Sequence, residues 1–238
     1  MRIGTAGWSI ARSAADRFPA EGSGLERYAA VLPCAEINSS FHRPHRLSTW
    51  EKWRDSVPDG FRFSVKLPKT ITHEARLVGA QALIDAFLAE AMTLGEKLAV
   101  LLVQLPPSLA LDAEAAASFF RYLRERCVAR VTVEPRHASW FTSDAADLLR
   151  AADVSRVGAD PVRVPGAEQP LVVDGLAYWR LHGSPVIYRS SYADRIAALA
   201  ETVRADEVAE KWIIFDNTAS SAATGDALAL MCALDRAG

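Results

Sequence analysis

The 238-residue chain is short of features that assign a role quickly. It has three cysteines, Cys34, Cys127 and Cys232, odd in number, far apart and without a Cys-x-x-Cys pair. That excludes a disulfide framework and points to a reducing compartment. The net charge of −2 gives no overall field for nucleic acid or for an acidic membrane surface. No apolar run is long enough to cross a bilayer, and the opening Met1-Arg2-Ile3-Gly4-Thr5-Ala6 reads as a strand rather than a signal core. A cytoplasmic protein with no membrane partner is the expectation. No linker or composition shift divides residues 1–238, which are expected to form one domain.

What is present is alternation. Half the residues are hydrophobic and 24% are charged, an ordinary globular balance with enough apolar surface for a large core. Strand-like runs recur at 2–6, 34–38, 62–67, 99–105, 131–134, 155–160, 177–182 and 212–216. Amphipathic segments lie between them. One covers 25–32, and one opens on the capping box Ser48-Thr49-Trp50-Glu51. Another runs 80–94 and stops at Gly95, and two more start from caps at Asp112 and at Thr142 or Ser143. The last two cover 192–205 and 218–234. Residues 161–175 hold three prolines and two glycines, so that crossover is irregular. Eight strand–helix units in a chain of this length predict an α/β fold, a TIM-type (β/α)8 barrel with right-handed crossovers. The alternative is an open doubly wound sheet, which lacks its usual Gly-x-Gly-x-x-Gly after the first strand.

Residues 131–141, Val-Thr-Val-Glu-Pro-Arg-His-Ala-Ser-Trp-Phe, locate the chemistry. Pro135 cannot donate to a ladder, so the strand ends with Glu134, Arg136 and His137 at its C-terminal tip. Side chains alternate along a strand. The apolar parity should face the helices, and the other parity then carries Glu36, Asn38, Lys66, Gln104, Glu134, Asp160, Arg180, His182 and Asp216 toward the barrel axis. Charges there must pair or face a wet mouth, and the C-terminal strand tips are where barrel enzymes keep their chemistry.

Seven motifs in chain order resemble the YecE-like family, domain-of-unknown-function family 72. They are Gly4-Thr5-Ala6-Gly7-Trp8-Ser9, Glu36-Ile37-Asn38-Ser39-Ser40-Phe41, Phe63-Ser64-Val65-Lys66 with Thr72-His73, Gln104-Leu105-Pro106-Pro107, Glu134-Pro135-Arg136-His137 with Ser139-Trp140-Phe141, Arg180-Leu181-His182-Gly183, and Phe215-Asp216-Asn217. The resemblance implies a TIM-type barrel and no assigned reaction. Ile10, His42, Pro135 and Asp216 depart from its usual residues.

The residues themselves suggest an enzyme using acid/base chemistry on a small polar, anionic or phosphorylated substrate. Glu134 would be the general base or acid, with His182 or His137 moving a second proton. The competing account of Glu134 with Arg136 is a structural ion pair closing the barrel top. Glu36 and Asp160 are either further catalytic carboxylates or counter-ions of Lys66 and Arg180. Lys66, Arg136 and Arg180 would hold anionic groups. Covalent chemistry at Lys66 is disfavoured, because the carboxylates expected beside it would keep its pKa up. Gln104, Asn38, Trp8, Asp216 and Asn217 complete the binding set. Trp140, Tyr188 and Tyr192 are further stacking candidates, and His73 would either reach the mouth or cap the next helix. The helix start after Asn217 would bind phosphate or simply be N-capped. The sequence leaves the cofactor unassigned. A divalent metal on Glu36, Glu134, Asp160, His182 and Asp216, serving a phosphodiester or sugar-phosphate reaction, is the second reading, opposed by the cations in the same mouth. Non-catalytic binding of a nucleic acid or metabolite is the third.

Overall fold

In a computed structural model, which describes residues 1–205 and 207–235, the strands form one nine-membered parallel sheet. They are β1 (Arg2–Ala6), β2 (Cys34–Ile37), β3 (Arg62–Lys66), β4 (Leu98–Gln104), β5 (Arg130–Glu134), β6 (Val154–Arg156), β7 (Gly158–Asp160), β8 (Leu176–Leu181) and β9 (Glu210–Phe215). The spatial order is β6-β5-β4-β3-β2-β1-β9-β8-β7. The two ends of that order are consecutive in the chain, separated only by Val157. β6 pairs with β5 and β7 pairs with β8, so a single broken strand closes the sheet into a barrel. The eight expected strands are present, with the sixth divided in two.

The helices are α1 (Gly24–Ala29), α2 (Leu47–Asp55), α3 (Gln81–Ala91), α4 (Ala113–Arg124), α5 (Ser143–Ala151), α6 (Ile196–Ala205) and α7 (Ala223–Asp235). Asp112 and Thr142 cap α4 and α5 as expected, accepting from Ala115 N at 3.0 Å and Ala145 N at 3.2 Å. The expected box at Ser48 does not form. Arg46 is the extended N-cap of α2, which leaves Ser48 inside the first turn. Ser23 and Glu26 make a reciprocal box at α1 instead. The 161–175 crossover contains no helix and touches the sheet through isolated bridges. α6 and α7 start later than their sequence patterns, after turns at 193–195 and 218–221.

Two apolar layers follow from strand parity. Ile37, Val65, Val103, Val133, Trp179, Leu181, Ile213 and Phe215 pack outward under the helices. Cys34, Val100, Leu102, Val157, Leu176, Tyr178, Trp212 and Ile214 fill the barrel interior. Gly4 permits β1 to pack closely, because a Cβ there would lie 2.1 Å from the Cys34 carbonyl oxygen. The broken strand reverses the expected parity. Val157 is inside, whereas a Cβ on Gly158 would meet Trp179, which belongs to the outer layer. Asp160 therefore shares the outward parity of Gly158. The expected inward position of Asp160 requires Val157 to face the helices, and Val157 faces the barrel interior instead.

Candidate active site

Above the apolar interior the same inward positions turn polar, as expected for β2, β5, β8 and β9. Arg180 stands at the centre, fully buried. Its Nε and Nη2 donate to the two carboxylate oxygens of Glu36 at 3.0 and 2.7 Å, a two-point clasp. Its Nη1 donates to Glu134 Oε2 at 2.6 Å, and Nη2 also reaches Asp216 Oδ2 at 3.0 Å. One guanidinium thus joins strands β2, β5, β8 and β9. Below it, the Tyr178 hydroxyl donates to Glu36 Oε2 at 2.9 Å and pairs with Ser64 Oγ at 2.7 Å. Burial first, then the Glu36 charge, push the Tyr178 phenol well up, so it stays a neutral donor.

His182 bridges two carboxylates. Its Nδ1 is 2.9 Å from Asp216 Oδ2 and its Nε2 is 3.1 Å from Glu134 Oε1. Two acceptors facing two ring nitrogens favour the doubly protonated imidazolium. Burial opposes that charge, but Glu134 and the hydrogen bond to Asp216 outweigh it and the pKa is raised. Glu134 also takes Arg136 Nε and Nη2 at 3.3 and 3.1 Å. Burial would raise the Glu134 carboxyl, yet Arg180, His182 and Arg136 hold it well below the usual carboxylate range. Burial likewise opposes ionisation of Asp216, and Arg180 and His182 hold its pKa down. Three carboxylates then balance Arg180, Arg136 and protonated His182.

Lys66 is left over. It is 6% exposed, and its Nζ lies 4.0 Å over the Phe41 ring. Among the described residues no acceptor lies within hydrogen-bond distance of Nζ and no carboxylate within ion-pair distance. Burial first, then Arg180, push its pKa down to about 8, against the pull of Glu36, Glu134 and Asp216. The expectation that carboxylates would hold this pKa up is overturned, because burial and the Arg180 charge outweigh their pull. His73 sits at the same rim, 5.0 Å from the Phe41 ring and 3.5 Å from Gln104 Nε2. Burial and then Lys66 and Arg136 lower its pKa. Tyr188, 38% exposed, stands edge-on to His182 at 5.8 Å and overhangs the mouth.

The remaining expected residues are dispersed. Asp160 does not join the cluster. It pairs with Arg195, whose Nη1 is 3.1 Å from Oδ1, and accepts from the Tyr192 hydroxyl at 3.2 Å. His137 caps the short turn at 138–141, its Nδ1 receiving the Ser139 amide at 3.2 Å. Trp140 and Tyr192 are buried core residues, while Trp8 is half-buried against Trp53 at 5.3 Å. Asn38 holds its amide oxygen buried and unpartnered just beyond the end of β2. Asn217 caps no helix: its Nδ2 donates to Ser190 O at 3.0 Å and Asp226 Oδ2 at 2.6 Å. Asp226 also takes the Tyr192 amide and the Ser191 hydroxyl, so the corner expected to receive phosphate already holds an anion. Ser64, Tyr178 and Phe41 were missing from the expected set. The first two share the inward parity of Lys66 and Arg180, which is the signal that identifies them.

Glu36, Glu134, Asp216 and His182 offer metal-ligand chemistry, but the guanidinium occupies the space they surround. Among the described residues no group of three or more His, Cys, Asp or Glu side chains is disposed to hold a metal ion. The donor set does not fit a divalent cation. No helix among the described residues is long and apolar enough to cross a membrane.

Fold and site together define a (β/α)8 barrel with an arginine-centred ion cluster under its C-terminal mouth. A family model described as protein of unknown function DUF72 matches residues 2–238, and the chain belongs to that family. It is 33% identical over 82 residues to the UPF0759 protein YecE of Escherichia coli K12, which covers 34% of this chain and 30% of YecE. That match spans about a third of the curated relative's length. A crystal structure of a DUF72 family protein from Enterococcus faecalis V583 superposes with a TM-score of 0.81 at 23% identity, covering 98% of this chain and 95% of that one. The structure of an L-ribulose 3-epimerase superposes with a TM-score of 0.57 at 13% identity over 99% of this chain and 96% of that one, a likeness of fold alone.

Proposed function

We propose that the protein is an enzyme acting by acid/base chemistry on a small polar, anionic substrate held over the C-terminal mouth of the barrel. The observation that carries this reading is the spare cation. A buried charge is costly unless paired, and among the described residues Lys66 has no hydrogen-bond or ion-pair partner while every carboxylate beneath it is engaged. Arg136 turns Nε and Nη2 to Glu134 and keeps Nη1 free of hydrogen bonds among the described residues. An anionic group between Lys66 and Arg136 satisfies both. Lys66, with its pKa pushed down to about 8, exchanges a proton at working pH, and imidazolium His182 is the second proton carrier. Glu134, taking four donor contacts, serves better as the anion that fixes its neighbours than as the base.

The test is a thermal-stabilisation screen of small hydroxy acids, keto acids and phosphate esters, followed by NMR detection of solvent deuterium entering any compound that stabilises. Stabilisation that is lost in Arg136→Gln, together with exchange or turnover, supports the reading. Absence of any stabilising anion refutes it. Binding without exchange or turnover removes the enzymatic part.

A further inference from the structure

We infer that Lys66 is a nucleophile that captures a carbonyl compound as an imine, so that the mouth takes small acids bearing an aldehyde or ketone. This rests on the reading of the mouth as a site for a small anionic substrate and narrows its substrate class.

A lysine attacks carbon only with its lone pair free. The other partly buried lysines show how that is ordinarily prevented. Lys97 donates to the carbonyls of Arg54 and Val57 at 2.7 and 2.6 Å, and Lys211 to the carbonyl of Val203 at 2.7 Å. Lys69, on the surface, pairs with Glu74 at 3.1 Å. Among the described residues, Lys66 Nζ has no hydrogen-bond or ion-pair partner and lies against the face of Phe41. That face attracts an ammonium, but burial and Arg180 win, and the pKa falls to about 8. An exposed lysine titrates near 10.4, so at pH 7 the free-amine fraction of Lys66 is about 200-fold larger. The nearby carboxylates do not recapture the proton, because Arg180, Arg136 and His182 already hold them.

The chemistry balances within the site. The neutral Nζ adds to the carbonyl carbon, the carbon–oxygen π pair moves to oxygen, and that oxygen takes the proton released by nitrogen. The resulting carbinolamine loses its hydroxyl as water, with one proton supplied by an acid, a role that protonated His182 fits. One water leaves, a carbon–nitrogen double bond forms, and no oxidant or reductant is consumed. The iminium carries the same single positive charge as the ammonium, so the surplus charge of the mouth is kept. It also draws electrons from the adjacent carbon and eases loss of a proton there. Arg136 Nη1 is the free donor for the carboxylate or phosphate of the same molecule.

The experiment treats the intact protein with glyoxylate, a small anionic aldehyde, and sodium cyanoborohydride, which reduces imines to stable secondary amines. Peptide mass spectrometry then follows carboxymethylation at Lys52, Lys66, Lys69, Lys97 and Lys211. The expected result at pH 7 is labelling of Lys66 at least about tenfold faster than exposed Lys52, with the advantage shrinking toward pH 10 as both amines lose their protons. Lys66→Arg, which keeps the charge, removes that adduct and leaves the others. A parallel arm measures thermal stabilisation by glyoxylate without reductant. Stabilisation with no preferential labelling overturns the imine and leaves the anion site standing. Neither stabilisation nor labelling removes both. Equal rates at all lysines overturn the imine.

Discussion

Replacing Lys66 by methionine should make the protein more stable at neutral pH. The lysine is 6% exposed and its pKa is pushed down to about 8, against about 10.4 in an unfolded chain. At about 1.36 kcal/mol for each pKa unit, holding the ammonium in the fold costs about 3 kcal/mol. Methionine keeps an unbranched apolar stem against Phe41 but loses the attraction of the ammonium for the ring, about 1 kcal/mol. The net gain is about 2 kcal/mol at pH 7, or about 4–8 °C in melting temperature for a chain of this size. The pH dependence identifies the cause. Between about pH 8 and about pH 10.4 the unfolded lysine is still protonated while the folded one is not, so wild-type stability rises with pH in that window relative to the variant. The advantage of Lys66→Met is therefore full below pH 8 and fades by about pH 10.4. Urea unfolding of both proteins at pH 7, 9 and 10 measures it. A variant less stable than wild type at pH 7, or a difference that ignores pH, would refute the reasoning.

Two further perturbations probe the ion cluster. Arg180→Met leaves Glu36 with only the Tyr178 hydroxyl and strips a donor from Glu134 and Asp216. It should cost about 3–5 kcal/mol in urea unfolding, and a loss below about 1 kcal/mol would show that the cluster is wet or rearranges. His182 should be protonated at pH 7 by nitrogen-15 NMR, because Glu134 and Asp216 raise its pKa against burial. Its contribution to stability is fully present below about pH 6.5 and is lost as pH rises through the raised folded value; a neutral ring at pH 7 would contradict the bridged geometry.

The barrel was legible because eight strand-like runs alternate with helical ones, and because a strand buried on both faces still shows which parity turns polar at its tip. Glu36, Lys66, Glu134, Arg180, His182 and Asp216 were all found that way, and the structure brings them to one mouth. Asp160 was not, because the apolar Val157 lies on the inward parity of its strand, so alternation carries Gly158 and Asp160 outward, and hydrophobicity alone does not tell the two faces apart. Partner choice was also hidden. Parity says that Lys66 and the carboxylates share an interior, but only three dimensions show that Arg180 takes all three carboxylates and leaves the lysine alone. The corner after Asn217 looked like an anion site because Asp226, nine positions on, could not be seen to fill it.

The Arg180 clasp also dates the assembly of the site. Glu36 precedes its guanidinium by 144 positions and Glu134 by 46, and Asp216 follows by 36. During synthesis both glutamates emerge before Arg180: Glu134 has Arg136 two positions on, while Glu36 meets its cation only when β8 arrives. Contacts of such long separation form late because the loops they close carry the largest entropy. The clasp around Arg180 is complete only when β2, β5, β8 and β9 are all in place. A chain stopped before residue 176 holds two of the three acids and no Arg180 to join them, so the machinery stays unbuilt until the cylinder around it is nearly complete.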